Sequence, residues 1–121
     1  MSGDPRHILG RVGERLAAEH LQRLGYTILA RNHRTRFGEI DLIAADGGTL
    51  VFCEVKTRRD GGCPWDALHP AKRARVRRMA AAWLAETPNR PRVRAVRFDA
   101  IGVAVDADGN LKRLDHLENA F

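Results

Sequence analysis

The chain has 121 residues, 44% of them hydrophobic and 30% charged, the composition of an ordinary globular protein. It is expected to form a single domain, 1–121, that buries about two-thirds of its unfolded surface. Lysine and arginine number 21 against 15 acidic residues, a net charge of +6 that favours a polyanionic partner, nucleic acid above all. No apolar run approaches the roughly 20 residues of a membrane span, and MSGDPRHILGRVGE lacks the apolar core of a signal peptide, so a cytoplasmic protein with no membrane partner is expected.

Residues 6–24 read as a helix, because Leu9, Val12, Leu16, His20 and Leu24 recur at helical spacing and Gly25 supplies the stop. Gly10, Gly13 and Ala17 share that side, which predicts close approach to a sheet. Glu14 falls at the edge of the apolar arc, about 20° from Leu21 on the wheel. It either points at a site on the sheet or stands in water. Tyr26–Asn32 reads as a first strand, and Phe37-Gly38 turns the chain into a hairpin. That hairpin, Gly38–Arg58, is GEIDLIAADGGTLVFCEVKTR, two strands joined at Gly47-Gly48. Asp60–Pro64 is a Gly-rich loop, mobile by composition.

Pro70 suits the first turn of a second helix running to about Glu86, before Pro88 and Pro91. Its inner face is Val76, Met79, Ala80, Trp83 and Leu84, and its outer face carries Arg73, Arg77 and Arg78. Lys72 continues the inner row, where its stem covers apolar surface or its ammonium meets a phosphate. Val93–Val105 is a fourth strand, Asp106–Asn110 a turn and Leu111–Leu117 a short fifth strand. Cys53 and Cys63 have no CxxC partner and read as reduced thiols. His7, His33, His69 and His116 are scattered without ligand spacing, which argues against zinc.

The hairpin carries the chemistry. A two-residue loop at Gly47-Gly48 makes the numbers of paired residues sum to 95, setting Asp41 opposite Glu54 and Glu39 opposite Lys56. Opposed side chains lie about 5 Å apart, where two carboxylates repel. One reading is a structural hairpin with a Glu39–Lys56 ion pair and with Asp41 and Glu54 at wet strand ends. The other is a divalent cation, which collects carboxylate oxygens at about 2.0–2.6 Å. Lys56 shares a face with Glu54, so a cation there would have an ammonium beside it, a combination suited to phosphodiester hydrolysis. Basic residues concentrate between Arg58 and Arg97, and Arg58, Arg59, Lys72, Arg73 and Arg77 are the expected phosphate contacts.

The order helix, three strands, helix, strand, with an acid on the second strand and ExK on the third, resembles the PD-(D/E)xK, or restriction-endonuclease-like, superfamily. Within it the chain is similar to the small YraN-like bacterial proteins, predicted endonucleases related to Holliday junction resolvases. The resemblance covers nearly the whole chain: Gly10, Glu14 and Ala17 in G-x-x-x-E-x-x-A, LGY at Leu24–Tyr26, Arg31-Asn32, GEIDLIA, LVFCEVKTR, Lys72, RFD at Arg97–Asp99 and HLENAF at His116–Phe121. It implies an α/β fold, an αβββαβ core with a mixed sheet between two helices, plus the short last strand. It also implies Asp41 and Glu54 as metal-binding acids, Lys56 as the catalytic lysine, Glu14 as a helix-borne acid at the same site and the Val55 carbonyl as a further ligand. Mg²⁺ or Mn²⁺ is the implied cofactor, and DNA rather than RNA the implied substrate, with branched or repair intermediates in view. Arg-Phe-Gly-Glu-Ile precedes Asp41, so the proline of the PD motif is absent. A nucleic-acid-binding or repair-partner module that does not cut remains the alternative, and both a monomer and a homodimer are open.

Overall fold

The structure is a computed structural model and describes residues 5–59 and 70–121. The Gly-rich loop, Cys63 and His69 lie outside the described residues. Chain order is α1 (Pro5–Arg23), β1 (Thr27–Thr35), β2 (Gly38–Ala45), β3 (Thr49–Arg58), α2 (Pro70–Glu86), β4 (Ala95–Val105) and β5 (Leu111–Leu117). This is the expected αβββαβ core followed by a strand. The sheet has the order β1-β2-β3-β4-β5, antiparallel throughout except for the parallel β3–β4 pair. A parallel pair needs a crossover, and α2 supplies it.

Strands β3 and β4 sit inside the sheet with both faces covered, which is why LVFCEV reads as a continuous apolar run. Alternate residues feed two cores. Ile40, Ile43, Leu50 and Phe52 pack under Val76, Met79, Ala80 and Trp83 of α2. Leu42, Ala44, Val51 and Cys53 pack under Ala17, Ala18 and Leu21 of α1. The helices therefore cover opposite faces. Burial holds the Cys53 thiol well above its ordinary pKa, so it stays protonated.

α1 stops as its sequence dictates. Gly25 has φ +99, and the amides of Gly25 and Tyr26 donate back to Gln22 and Leu21, closing the last turn. Leu24, expected on the apolar face, falls beyond the last helical residue and is exposed. The buried seam of α1 is the small-residue side. At Gly13 an added Cβ would overlap the Thr57 side chain, with Thr57 Cβ and Cγ2 each 2.7 Å away. β1 runs three residues past its expected end, because His33 pairs with Ile40 and Arg34 with Glu39. That stretch of an edge strand is polar, so no apolar alternation marks it.

The β2–β3 register is the expected one: Ala45 pairs with Leu50, Ala44 with Val51, Ile43 with Phe52 and Leu42 with Cys53. Its turn is held by the Asp46 carboxylate, which accepts from the amides of Gly48 at 2.8 Å and Thr49 at 2.7 Å.

A buried network ties the end of the chain to the sheet. Asp99 is fully buried on β4 and accepts two hydrogen bonds from Arg97 Nε (2.9 and 3.1 Å) and one from Arg97 Nη2 (2.9 Å). It also accepts from the Asn119 amide and meets His116 Nε2 at 2.7 Å. His116 Nδ1 lies 3.0 Å from His20 Nε2, joining residues 96 apart that sequence spacing left unconnected. The Ala120 amide donates to the Phe98 carbonyl, and Ala120 and Phe121 are buried against the α2 core. Asp99→Ala leaves Arg97 and His116 without their acceptor and should cost about 3–5 kcal/mol, the usual loss on breaking a buried ion pair. Chemical denaturation checks it, and early proteolysis after Leu117 should accompany the loss.

Candidate active site

β2 does not alternate cleanly. Ile40 faces the α2 core and Leu42 the α1 core, so Asp41 between them cannot take an ordinary place on either face. Its carboxylate turns toward β3, where Oδ2 accepts the Val55 amide at 2.8 Å. The described ladder stops at Leu42–Cys53, one pair short of the expected Asp41–Glu54 partners. A side chain thus takes the hydrogen bond that a continuing ladder would give to a β2 carbonyl. The two acids remain neighbours, since the Glu54 charge acts on Asp41. Val55 enters the site through its amide.

Glu14 reaches Asp41 from α1. Only a glycine at position 13 lets α1 come down onto Thr57, and this close approach sets the height of Glu14 above the sheet. Asn32, at φ +51, donates from Nδ2 to Glu14 Oε2 and to Glu39 Oε1, both at 2.9 Å. Asparagine is among the few non-glycine residues that tolerate this backbone region. Glu14, Glu39 and Asp41 each offer a carboxylate oxygen within 4.8 Å of the others. Hard oxygen donors of this kind suit Mg²⁺ or Mn²⁺. The structural-hairpin reading pairs Glu39 with Lys56. Glu39 instead meets Asn32 and Arg34, whose Nη2 lies 3.6 Å from Glu39 Oε2.

On the α2 side, Glu54 Oε1 is 2.9 Å from Lys72 Nζ and 3.8 Å from Lys56 Nζ. The Lys72 side chain is only 7% exposed, so it belongs to the interior of the site and offers little to an external phosphate. Lys72 and burial lower the pKa of Lys56, with Glu54 and Asp41 pulling the other way. An ammonium held close to a second one gives up its proton more readily, the condition a lysine needs to accept a proton from water near neutrality. Burial, then Glu54 and Glu14, push the Asp41 carboxyl up to about 8 against the opposing Val55 amide. At neutral pH Asp41 therefore carries a proton and is hydrogen-bonded to Glu14.

The expected phosphate contacts are divided by the fold. Arg58, Arg59 and Arg73 are exposed. Arg77 donates to the Phe121 carbonyl at 3.0 Å and lies over the Phe98 ring, so it also anchors the C-terminal segment. Arg97, the end of the basic run, is committed to Asp99 and Tyr26.

Fold and site define an α/β protein of αβββαβ order with a five-stranded mixed sheet, with four carboxylates and two lysines gathered where the central hairpin opens. Uncharacterised protein family UPF0102 matches residues 13–103, and the chain belongs to this family. It is similar to a UPF0102 protein of Parafrankia sp. (strain EAN1pec), 50% identical over 115 residues that cover 93% of this chain and 95% of the relative. A UPF0102 protein of Pelotomaculum thermopropionicum is 42% identical over 120 residues, 98% of both chains. One from Streptomyces griseus is 48% identical over 106 residues, 86% of this chain and 88% of that one.

Two outcomes follow from this geometry. The folded chain holds a proton on Asp41 that the unfolded chain, with an ordinary carboxyl near 3.8, releases. Stability from this residue is therefore complete below about pH 4, declines as pH rises and is lost above about pH 8. Asparagine keeps an acceptor for Val55 and a donor for Glu14 without titrating. The melting temperature of Asp41→Asn minus that of wild type should thus grow from pH 4 to 8 and then level off. The difference cancels His20, whose pKa burial lowers in both proteins. Gly13→Ala should cost about 1–3 kcal/mol through overpacking. Gly13→Ala/Thr57→Ala should recover part of it, since the Cβ at position 57 remains, while Gly13→Ala/Thr57→Gly should recover more of that clash, a coupling that a double-mutant cycle measures.

Proposed function

We propose that the protein is a divalent-cation-dependent endonuclease that hydrolyses phosphodiester bonds in nucleic acid, DNA in preference to RNA. The observation that carries this reading is the meeting of Asp41, Glu54 and Glu14, from three separate elements, beside Lys56 and Lys72. Burying acids together costs stability unless something binds to them, and a fold that keeps them at one point has a ligand to hold. Asp41, Glu54, Glu14 and Glu39 are the residues that would hold Mg²⁺ or Mn²⁺. When bound, the cation supplies a Lewis acid for a phosphate oxygen and lowers the pKa of attached water.

The chain's own groups do the rest. Lys56, its proton loosened by Lys72, orients the attacking water, accepts its proton and offsets charge growing on the phosphate. Lys72 holds the Glu54 carboxylate in place from the buried side. Asn32 sets the orientation of Glu14 and Glu39. The net charge of +6 draws in the polyanion, and exposed Arg58, Arg59 and Arg73 are available to its phosphates.

The deciding measurement is cleavage of linear, flapped and four-way DNA and of RNA with Mn²⁺, alongside melting with and without the ion. Lys56→Ala should keep its fold and nucleic-acid affinity while losing about 10²–10³-fold in cleavage, the usual loss for one preorganised electrostatic interaction. Glu54→Gln should cut less still, because it removes a metal ligand. Mn²⁺ should raise the melting temperature of wild type, and by less in Asp41→Asn. If wild type binds nucleic acid but cuts none of these substrates, the protein is a binding module. If Lys56→Ala cuts as well as wild type, the assignment of Lys56 fails.

A further inference from the structure

Gly10 is a glycine that packing does not explain. It lies inside α1, where glycine is the poorest choice after proline, and a Cβ added there would meet nothing within 4 Å. Gly13, three residues on, has Thr57 against it and a clear reason to be glycine. Where no protein atom needs the space, a missing side chain leaves room for close approach of a ligand.

Gly10 does line a space. A cavity of about 430 Å³ lies between the first turns of α1 and the β1–β2 ribbon, and Arg6, His7 and Arg11 from α1 and Arg34 from β1 border it. Its other walls are Glu14, Glu39 and the Asn32 that joins them, so it opens directly onto the carboxylate cluster. The volume is in the range of ligand sites, but the walls are those of an anion site, with guanidinium groups where a drug-like pocket has apolar ones. Arg6 to Glu14 spans eight helical steps, about 12 Å, the axial rise of three to four nucleotides in a strand.

We propose that this cleft is a phosphate-binding subsite for a nucleic-acid strand, which lies along α1 with its backbone over Gly10 and passes from Arg11 and Arg34 to the carboxylates. The proposal rests on the reading of the site as one that acts on nucleic acid. It moves the main phosphate contact from the basic run after Arg58 to the N-terminal half of α1 and to β1. The carboxylates explain why the arginines are needed here: a polyanion must approach acidic groups, and cations lining the entrance offset that repulsion. The alternative source of the same chemistry, a small free phosphate, would use the arginines without needing the length of the groove.

The test is binding of fluorescein-labelled single-stranded and duplex DNA in EDTA, so that cleavage plays no part, by fluorescence anisotropy over a salt series. Arg11→Glu/Arg34→Glu should weaken binding at least tenfold and flatten the log–log salt slope, by about 0.9 on duplex and about 0.7 on single-stranded DNA for each phosphate no longer neutralised. Lys112→Glu/Arg113→Glu changes net charge equally on exposed positions of β5, at the far edge of the sheet, and should do much less. Gly10→Leu improves helix propensity and fills the groove, so it should melt no lower than wild type yet bind at least tenfold more weakly. Inorganic phosphate at millimolar concentration should compete poorly. If both groove variants are folded and bind as wild type, if the β5 control weakens binding equally, or if millimolar phosphate abolishes binding, the groove is not a strand site. If wild type binds no nucleic acid at low salt, the functional reading falls and the groove with it.

Discussion

Everything at the site follows from where β2 stops pairing with β3. A carboxyl oxygen accepting a backbone amide replaces a ladder bond, and Asp41 Oδ2 makes that substitution at Val55. The strands then part without leaving the Val55 donor unsatisfied, a cost that would otherwise close the gap. The opening lets Glu14 approach Asp41 from the α1 face and leaves Glu54 and the lysines on the other. A hairpin zipped to its end would have buried its polar groups in pairs and offered no room to a ligand.

Burial makes this opening electrostatically tense. Asp41 loses water, feels two other carboxylates and retains a proton well above the usual range. Across the sheet, Lys72 is nearly inaccessible and Lys56 half-buried, with Glu54 between them. Lys72 makes Lys56 easier to neutralise while Glu54 and Asp41 hold its charge, and Glu54 and Glu14 favour the neutral form of Asp41. A protein selected for stability alone gains little from this arrangement, since apolar residues of the same size would pack as well. The tension is what a site that exchanges protons and holds a cation requires.

The opposite end of the sheet uses charge differently. Asp99 is fully buried where Asp41 is half-buried, yet Arg97, His116 and the Asn119 amide satisfy it, and its carboxyl stays below the usual range. Two aspartates in one sheet thus have pKa values shifted in opposite directions. Asp99 has donors around it and fastens the C-terminal segment; Asp41 has acids around it and one amide. The number and charge of neighbours sets which acid is structural and which is reactive.

Much of this was legible in the residues. Period and punctuation located both helices and all five strands, because amphipathic faces, Gly25 and Pro70 act within a few residues of themselves. The hairpin register was legible too, since Asp46 and the two glycines fix it locally. Asp41, Glu54 and Lys56 stood out because two adjoining strands carry them at a computable offset. Glu39 and Asn32 did not, because their roles depend on how α1 settles on the sheet and on a positive φ that no spacing announces. Lys72 was legible on the inner row of α2, but its partner Glu54 was not, since the two meet only through the α2 crossover; nor was the meeting of His20 and His116 across 96 residues. Local order is written in short-range pattern, whereas the partners of a buried charge are chosen by packing between elements far apart in the chain, where only the assembled fold brings them within reach.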